Sequence, residues 1–402
     1  MDTLLIRNGT VVNAEDGTMV QADILAEGSR IRKAEPGICD RAVSEIDATG
    51  CYVTPGLVDH HTHIYPMASI GISGEAACFG SGVTTAVDAG STGCGTYERY
   101  RPWIRASKLA VCPYIHVSTG GLSSLPEAME DVDPHHMDAE GIRELFRRYG
   151  NELAGLKIRI SRNIVGDLGL DPLKRAVEIA ELTGVPLMVH ITDPPAPIEE
   201  VLSVLRPGDI VTHMYQNTGP TILDRGAVSD AVKAAREKGI LFEAADARAH
   251  FSFEVAEPAI GEGFYPDLLG TDITRLSMHL RPTAFNLAMQ LSKYSCLGIP
   301  FGTLIHIAAW KNAVNLGLSD QIGSLRPGKQ ADIAVFRPCR RRNVFGDRPF
   351  SNKDAEFREG DLIYEPVLTV KGRGDGVEKC DFLKEGNEKP GWACVKTRFL
   401  PG

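Results

Sequence analysis

Between about residue 83 and residue 273, short apolar runs alternate with longer stretches whose apolar positions recur at helical spacing. The short runs predict strands at Val83–Ala89, Cys112–Thr119, Ala154–Ser161, Pro186–Thr192, Asp209–Tyr215, Ile240–Asp246 and Leu268–Ile273, preceded by a first at Gly56–His61. Ala139–Tyr149, Pro172–Thr183 and Ser229–Lys238 carry the helical period between them. Strands that alternate with helices imply parallel βα units. Eight such units close a barrel, an architecture that occupies roughly 250 residues. The open doubly wound alternative is weaker, because no Gly-x-Gly-x-x-Gly loop follows an early strand.

The two ends have a different period. Residues 3–53 alternate in strand fashion, with turns expected at Asn8-Gly9, Asp16-Gly17 and Glu27-Gly28. After Asn315 the chain returns to turns and strands, through Gly323–Gly328 and then Ala331–Phe336. Turn signals about every ten residues suggest a small β-sandwich. The expected fold is therefore α/β: a (β/α)8 TIM barrel over residues 55–319, beside a composite sandwich of residues 1–54 and 320–402.

Composition narrows the partners. The 402 residues include 43 Lys and Arg against 52 Asp and Glu, a net charge of −9, which argues against nucleic acid because phosphate binding needs clustered cations. The one dense basic run, Arg340-Arg341-Arg342, is soon diluted by acids and reads as a solvated face. The opening residues lack the apolar stretch of a signal peptide. No run of about eighteen apolar residues suggests a membrane span, so no membrane partner is expected. Nine scattered cysteines, never in Cys-x-x-Cys spacing, fit free thiols in a reducing cytoplasm.

The chemistry concentrates at strand ends. Pro55-Gly56-Leu57-Val58-Asp59-His60-His61-Thr62-His63 closes an apolar strand on three histidines. Residues two apart share a strand face, so His61 and His63 can converge as metal ligands, or lie exposed in a turn. His60 should point away from them. His190 and His213 end two later strands, where barrel catalytic groups gather. In Leu156-Lys157-Ile158-Arg159-Ile160-Ser161 the period is two; if Leu156, Ile158 and Ile160 face the helices, Lys157, Arg159 and Ser161 face the barrel interior. A buried amine is driven neutral and can condense with carbon dioxide into a bridging carbamate; a structural ion pair is the plainer reading. Asp272, at the end of the eighth strand, could bind metal and accept a proton, or simply cap the next segment.

Taken together, Pro55 through His63, Lys157, His190, His213 and Asp272 resemble the binuclear amidohydrolase superfamily, in order and spacing from the first strand to the eighth. The segments around Lys157, His190, His213 and Asp272 are most similar to its amidohydrolase/deacetylase branch, near dihydroorotases and D-aminoacylases. The resemblance implies two divalent ions, zinc for preference: one on His61, His63 and Asp272, the other on His190 and His213, with carboxylated Lys157 bridging. It also implies hydrolysis by a metal-activated hydroxide, with Asp272 as the catalytic proton carrier. The implied substrate is a small acylated molecule, an N-acyl or O-acyl carboxylic acid undergoing deacetylation. A cyclic-amide hydrolase of dihydroorotase or hydantoinase type would use the same metals.

The sequence departs from the branch after the seventh strand. His250 is in place, but its neighbours in Asp246–Phe253 are bulkier than the glycines usual there. His250 is thus a candidate substrate contact or a packing residue. Arg159 could clamp a substrate carboxylate or pair with a nearby acid. His116, His279, His306 and the His135-His136 pair read as structural or exposed. The oligomeric state, a homo-oligomer included, is left open.

Overall fold

Residues 3–125, 129–279, 285–347, 355–373 and 376–381 are described by the structure, a computed structural model. Five strands come first: β1 (Thr3–Val12), β2 (Met19–Glu27), β3 (Arg30–Glu35), β4 (Ser44–Asp47) and β5 (Tyr52–Pro55). The alternating region follows with β6 (Leu57–Thr62), β7 (Val83–Gly93), β8 (Ala110–His116), β9 (Gly155–Arg159), β10 (Leu187–His190) and β11 (Ile210–Thr212). A short hairpin of β12 (Leu223–Asp224) and β13 (Ala227–Val228) precedes β14 (Leu241–Ala245) and β15 (Leu268–Gly270). The last strands are β16 (Ile333–Gly346), β17 (Phe357–Arg373) and β18 (Gly376–Asp381).

Strands β6 to β11, then β14 and β15, pair in parallel in that order. The ring closes where Thr62 bridges Ile273, with the Asp272 amide donating to the His61 carbonyl at 2.6 Å and the His63 amide to the Ile273 carbonyl at 3.1 Å. Each predicted strand is present, though several stop short of their predicted C-terminal ends. The reason is local: Asp193, His213, Ala247 and Asp272 all take positive φ, from 44° to 69°. Non-glycine residues adopt that conformation rarely and at a cost, and such residues cluster at functional sites. Here it turns the chain out of each strand at the barrel mouth.

The helices obey ordinary start and stop signals. Asp138 accepts from the Gly141 amide to start Ala139–Tyr149, and Ser229 caps Asp230–Glu237 by accepting from Val232. Asp171–Thr183 has proline in its first turn and stops at left-handed Gly184. Their apolar faces, with Ile142, Leu145, Leu173 and Ala176, share one core with Leu156, Ile158 and Ile160 of the β9 segment. This is the facing expected from the period-two pattern around Lys157.

The two ends form one hydrogen-bonded sheet, in the order β18-β17-β16-β5-β1-β2-β3 with β4 alongside β1. β18 comes back against β2, so the sheet curls over a core of its own that includes Leu4, Ile24, Val53, Ile333 and Val370. One expected turn is corrected. Asn8-Gly9 lies within β1 as a bulge, with the pairing register slipping between Ile6 and Gly9. A β-bulge calls for the same residues as a turn: Asn8 takes φ of 60°, and a Cβ on Gly9 would lie 2.4 Å from Val53. Arg340 and Arg342 are exposed and paired with Asp361 and Glu359 on β17, as a solvated face would be. Cys39, Cys51, Cys78, Cys94, Cys112, Cys296 and Cys339 are free thiols, and no described helix is long and apolar enough to cross a membrane.

Asn312 fastens the seam between the first and last barrel strands. Its side-chain amide donates to the Val58 and Leu269 carbonyls at 2.7 and 2.8 Å, and its oxygen accepts from the Leu269 amide at 3.2 Å. Asn312 is fully buried, so truncation would strand polar backbone atoms away from water. Asn312→Ala is expected to lower unfolding free energy by about 3 kcal/mol, read from the denaturant midpoint. A midpoint equal to that of the parent protein would show that the seam does not depend on this side chain.

Candidate metal centre

The strand ends bring the predicted histidines and carboxylate together. Ligand atoms of His61, His213 and Asp272 all lie within 4.8 Å of one another, and so do those of His190, His213 and His250. The rings form a continuous group: centroids are 5.8 Å apart for His61 and His63, 5.1 Å for His61 and His213, and 4.4 Å for His190 and His213. Every one of the predicted ligands is buried.

Hydrogen bonds at the outer ring nitrogens decide what faces inward. His61 Nδ1 lies 2.8 Å from Glu243 Oε2. A carboxylate only accepts, so Nδ1 carries the proton and Nε2 presents a lone pair. His213 Nδ1 is 2.7 Å from the Ala245 carbonyl, which leads to the same tautomer. For His63 the chain is longer: Nδ1 is 3.1 Å from Ser91 Oγ, whose hydroxyl donates to Asp88 Oδ2 at 2.9 Å. The serine oxygen is then left to accept from His63. The Nε2 atom of His63 faces Asp272 Oδ1 at 3.2 Å, a lone pair against an anionic oxygen. That juxtaposition is repulsive unless a cation lies with them, so the donor set fits a divalent metal.

The electrostatics agree. Burial lowers the His61 ring to about 4, with the nearby Lys157 adding to the effect. Burial and the neighbouring imidazoles hold His190 and His213 well below the usual histidine range. Neutral imidazole is the form that binds metal. Burial alone would raise the Asp272 carboxyl, but positive charge shared across the His63 contact and the surrounding rings keeps it well below the usual range, the same demand for a cation that the His63–Asp272 juxtaposition makes.

Lys157 is 1% exposed, and its Nζ has His61 Nε2 as a partner at 3.4 Å. Among the described residues no carboxylate lies within ion-pair distance of it. The plainer reading of Lys157 as half of a structural ion pair therefore does not describe this site. Burial is the main cause that lowers its amine to about 8. Gly90 on β7 leaves it room, since a Cβ there would come within 2.8 Å of Lys157 Cγ.

The remaining candidates divide. His250 joins the cluster: its Nδ1 is 2.8 Å from Thr192 Oγ1, and its Nε2 lies 3.7 Å from Asp272 Oδ2. Arg159 Nε stands 2.7 Å from Glu130 Oε1 but is not aimed at it as a hydrogen bond, so the pairing is one of charge alone. His60 stays out of the donor group, as expected. It nevertheless binds the other oxygen of Glu243 at 2.6 Å, on a strand whose pairing with β7 slips register between Asp59 and Thr62. His306 bonds the Ala14 carbonyl, His136 is exposed beside Asp131, His135 is exposed and His116 is buried. The side chain of His279 lies outside the described residues.

Sequence reasoning missed the supporting carboxylates. Glu243 sits in Leu241-Phe242-Glu243-Ala244-Ala245, a single acid in an apolar strand, which is the signal that drew attention to Lys157. Asp88 on β7 has the same signature, and Asp59 holds Thr271 through both its amide and its hydroxyl. Outer partners of metal-binding histidines usually matter nearly as much as the ligands. Glu243→Gln is expected to weaken divalent-metal affinity by about 10–100-fold, measured by competition with a chromogenic chelator. Unchanged affinity would show that Glu243 does not orient His61.

Proteins of known type are similar to this chain. Residues 52–363 match the amidohydrolase family. A deacetylase of Agrobacterium fabrum is 33% identical over 330 residues, which is 81% of this chain and 79% of its own length. The crystal structure of an adenine deaminase superposes with a TM-score of 0.84 at 26% identity, covering 94% of this chain and 100% of that one. A dihydroorotase does so at 0.83 and 28%, covering 94% and 99%. With that match running from the edge of the terminal sheet through the whole barrel, the chain belongs to the amidohydrolase family.

Proposed function

We propose that the protein is a binuclear metal-dependent deacetylase acting on a small N-acyl or O-acyl carboxylic acid. One ion would be held by His61, His63 and Asp272 and the other by His190 and His213, with a carboxylated Lys157 shared between them. The observation that carries this reading is the buried Lys157 amine, which faces metal-type donors and lacks a carboxylate partner among the described residues. Zinc suits a set of imidazoles and one carboxylate. The cysteine pattern favours a cytoplasmic setting. Residues 55–319 are read as the catalytic barrel domain and residues 1–54 with 320–402 as its companion.

Bound metal ions would supply two effects here, lowering the pKa of a water and polarising the substrate carbonyl. The chain's own residues do the rest. Asp272, with Oδ1 towards His63 and Oδ2 towards His250, is placed to take the proton of the attacking water and hand it to the leaving group. His250, partly exposed at the mouth, can steer the substrate from the opposite side. Arg159 is 20% exposed along its side chain. Because its contact with Glu130 is not a directed hydrogen bond, the guanidinium can also accept a substrate carboxylate.

The likeness to the Agrobacterium deacetylase supports deacetylation. The likeness to a dihydroorotase supports a second reading, hydrolysis of a cyclic amide. A screen of N-acetyl and O-acetyl acids of both hands, alongside cyclic imides, separates the two. Turnover of the acetyl acids, removed by chelation and restored by zinc, is the expected result; turnover of cyclic imides alone would favour the second reading. Lys157→Ala should lose bound metal and several orders of magnitude in kcat/KM together, with far-UV circular dichroism unchanged. A folded Lys157→Ala protein that keeps two metal ions and its turnover would overturn the assignment.

A further inference from the structure

His116 ends β8 and is completely buried. Its Nδ1 receives the backbone N–H of Ser118 at 3.0 Å. An amide N–H can only donate, so Nδ1 holds a lone pair and the ring proton must sit on Nε2. That Nε2–H has no hydrogen-bond partner among the described residues. Buried donors are rarely left unmatched, because the group forfeits its bond to water without replacement.

The geometry says where its partner belongs. His116 is the register partner of Lys157 on the adjacent parallel strand, so the two side chains leave the sheet on the same face. A single point above Gly90 lies 2.8 Å from Lys157 Cγ and 3.4 Å from His116 Cδ2, the carbon bonded to Nε2. The ring edge that carries Cδ2, next to Nε2, and the stem of Lys157 therefore flank the same space above Gly90. Nε2 is itself sealed from solvent, so its acceptor is better built onto a buried neighbour than delivered from outside.

We infer that His116 is a positioning residue whose Nε2–H donates to an oxygen of the N-carboxyl group on Lys157, an inference that rests on the binuclear reading. In that modification the neutral Lys157 amine attacks the carbon of carbon dioxide. An N–C bond forms, one C=O electron pair moves onto oxygen, and the amine proton leaves to solvent. The product is an anion with two acceptor oxygens beside a donor that otherwise has none. The bond favours the carboxylated lysine over the free amine and turns one oxygen towards β8.

The test is reconstitution of the metal-free protein with zinc at graded bicarbonate, with bound metal and incorporated isotopically labelled carbon as readouts. His116→Leu removes the donor and should need on the order of tenfold more bicarbonate for half-maximal metal uptake. His116→Gln, whose amide N–H reaches the Nε2 position, should load as the parent does. His116→Asn keeps only the Nδ1 side and should behave like His116→Leu, which preserves the test if the leucine variant fails to fold. Parent-like loading of His116→Leu or His116→Asn overturns the inference, as does a change confined to KM for carboxylate substrates. A parent protein that takes up metal without bicarbonate or label overturns the binuclear reading itself, a separately visible failure.

Discussion

A lysine amine enclosed by a barrel, without a carboxylate at ion-pair distance among the described residues, is the constraint on which the rest of the site depends. Desolvation works against the ammonium form and lowers the amine to about 8, while the nearest donor is an imidazole nitrogen of His61 rather than an acid. Around it, the structure supplies neutral imidazoles with lone pairs turned inward and one ionised carboxylate. Such a set is costly as a metal-free core and economical once cations and a carboxylated lysine join it. Gly90 follows from the same constraint: its missing Cβ is the space through which Lys157 passes.

Three of the histidines hold this arrangement because they are tied down from behind. Glu243 fixes His60 and His61 with its two oxygens, Ser91 and Asp88 hold His63, and the Ala245 carbonyl holds His213. The backbone contributes too. His213 and Asp272 sit at positive φ within two residues of their strands' ends, where the chain leaves the barrel wall. That strain is sustained by the closed seam below it, where Asn312 and the His61–Asp272 backbone bond join the first strand to the eighth.

Much of this was legible in the sequence because the site lies on strands, where period two links position to facing. Lys157 stood out as a cation among Leu156, Ile158 and Ile160, and the His61-x-His63 pair as imidazoles on one face. Glu243 and Asp88 gave the same signal and were overlooked, since a lone acid in a strand has no partner visible in one dimension. Asn8-Gly9 misled for a different reason: turn and bulge demand the same backbone freedom, and only the pairing of β1 with β2 distinguishes them. The charge contact between Arg159 and Glu130 joins a strand to a distant loop, so no local pattern could reveal it.

The central claim is that Lys157 is carboxylated and shared between two metal ions. The most direct measurement is a crystal structure of the protein loaded with zinc in bicarbonate, with anomalous scattering used to place the metals. The account predicts two anomalous peaks about 3.5–4 Å apart and branched density continuing from Lys157 Nζ to both. Two metals beside a bare Lys157 amine, turned away from them, would contradict it.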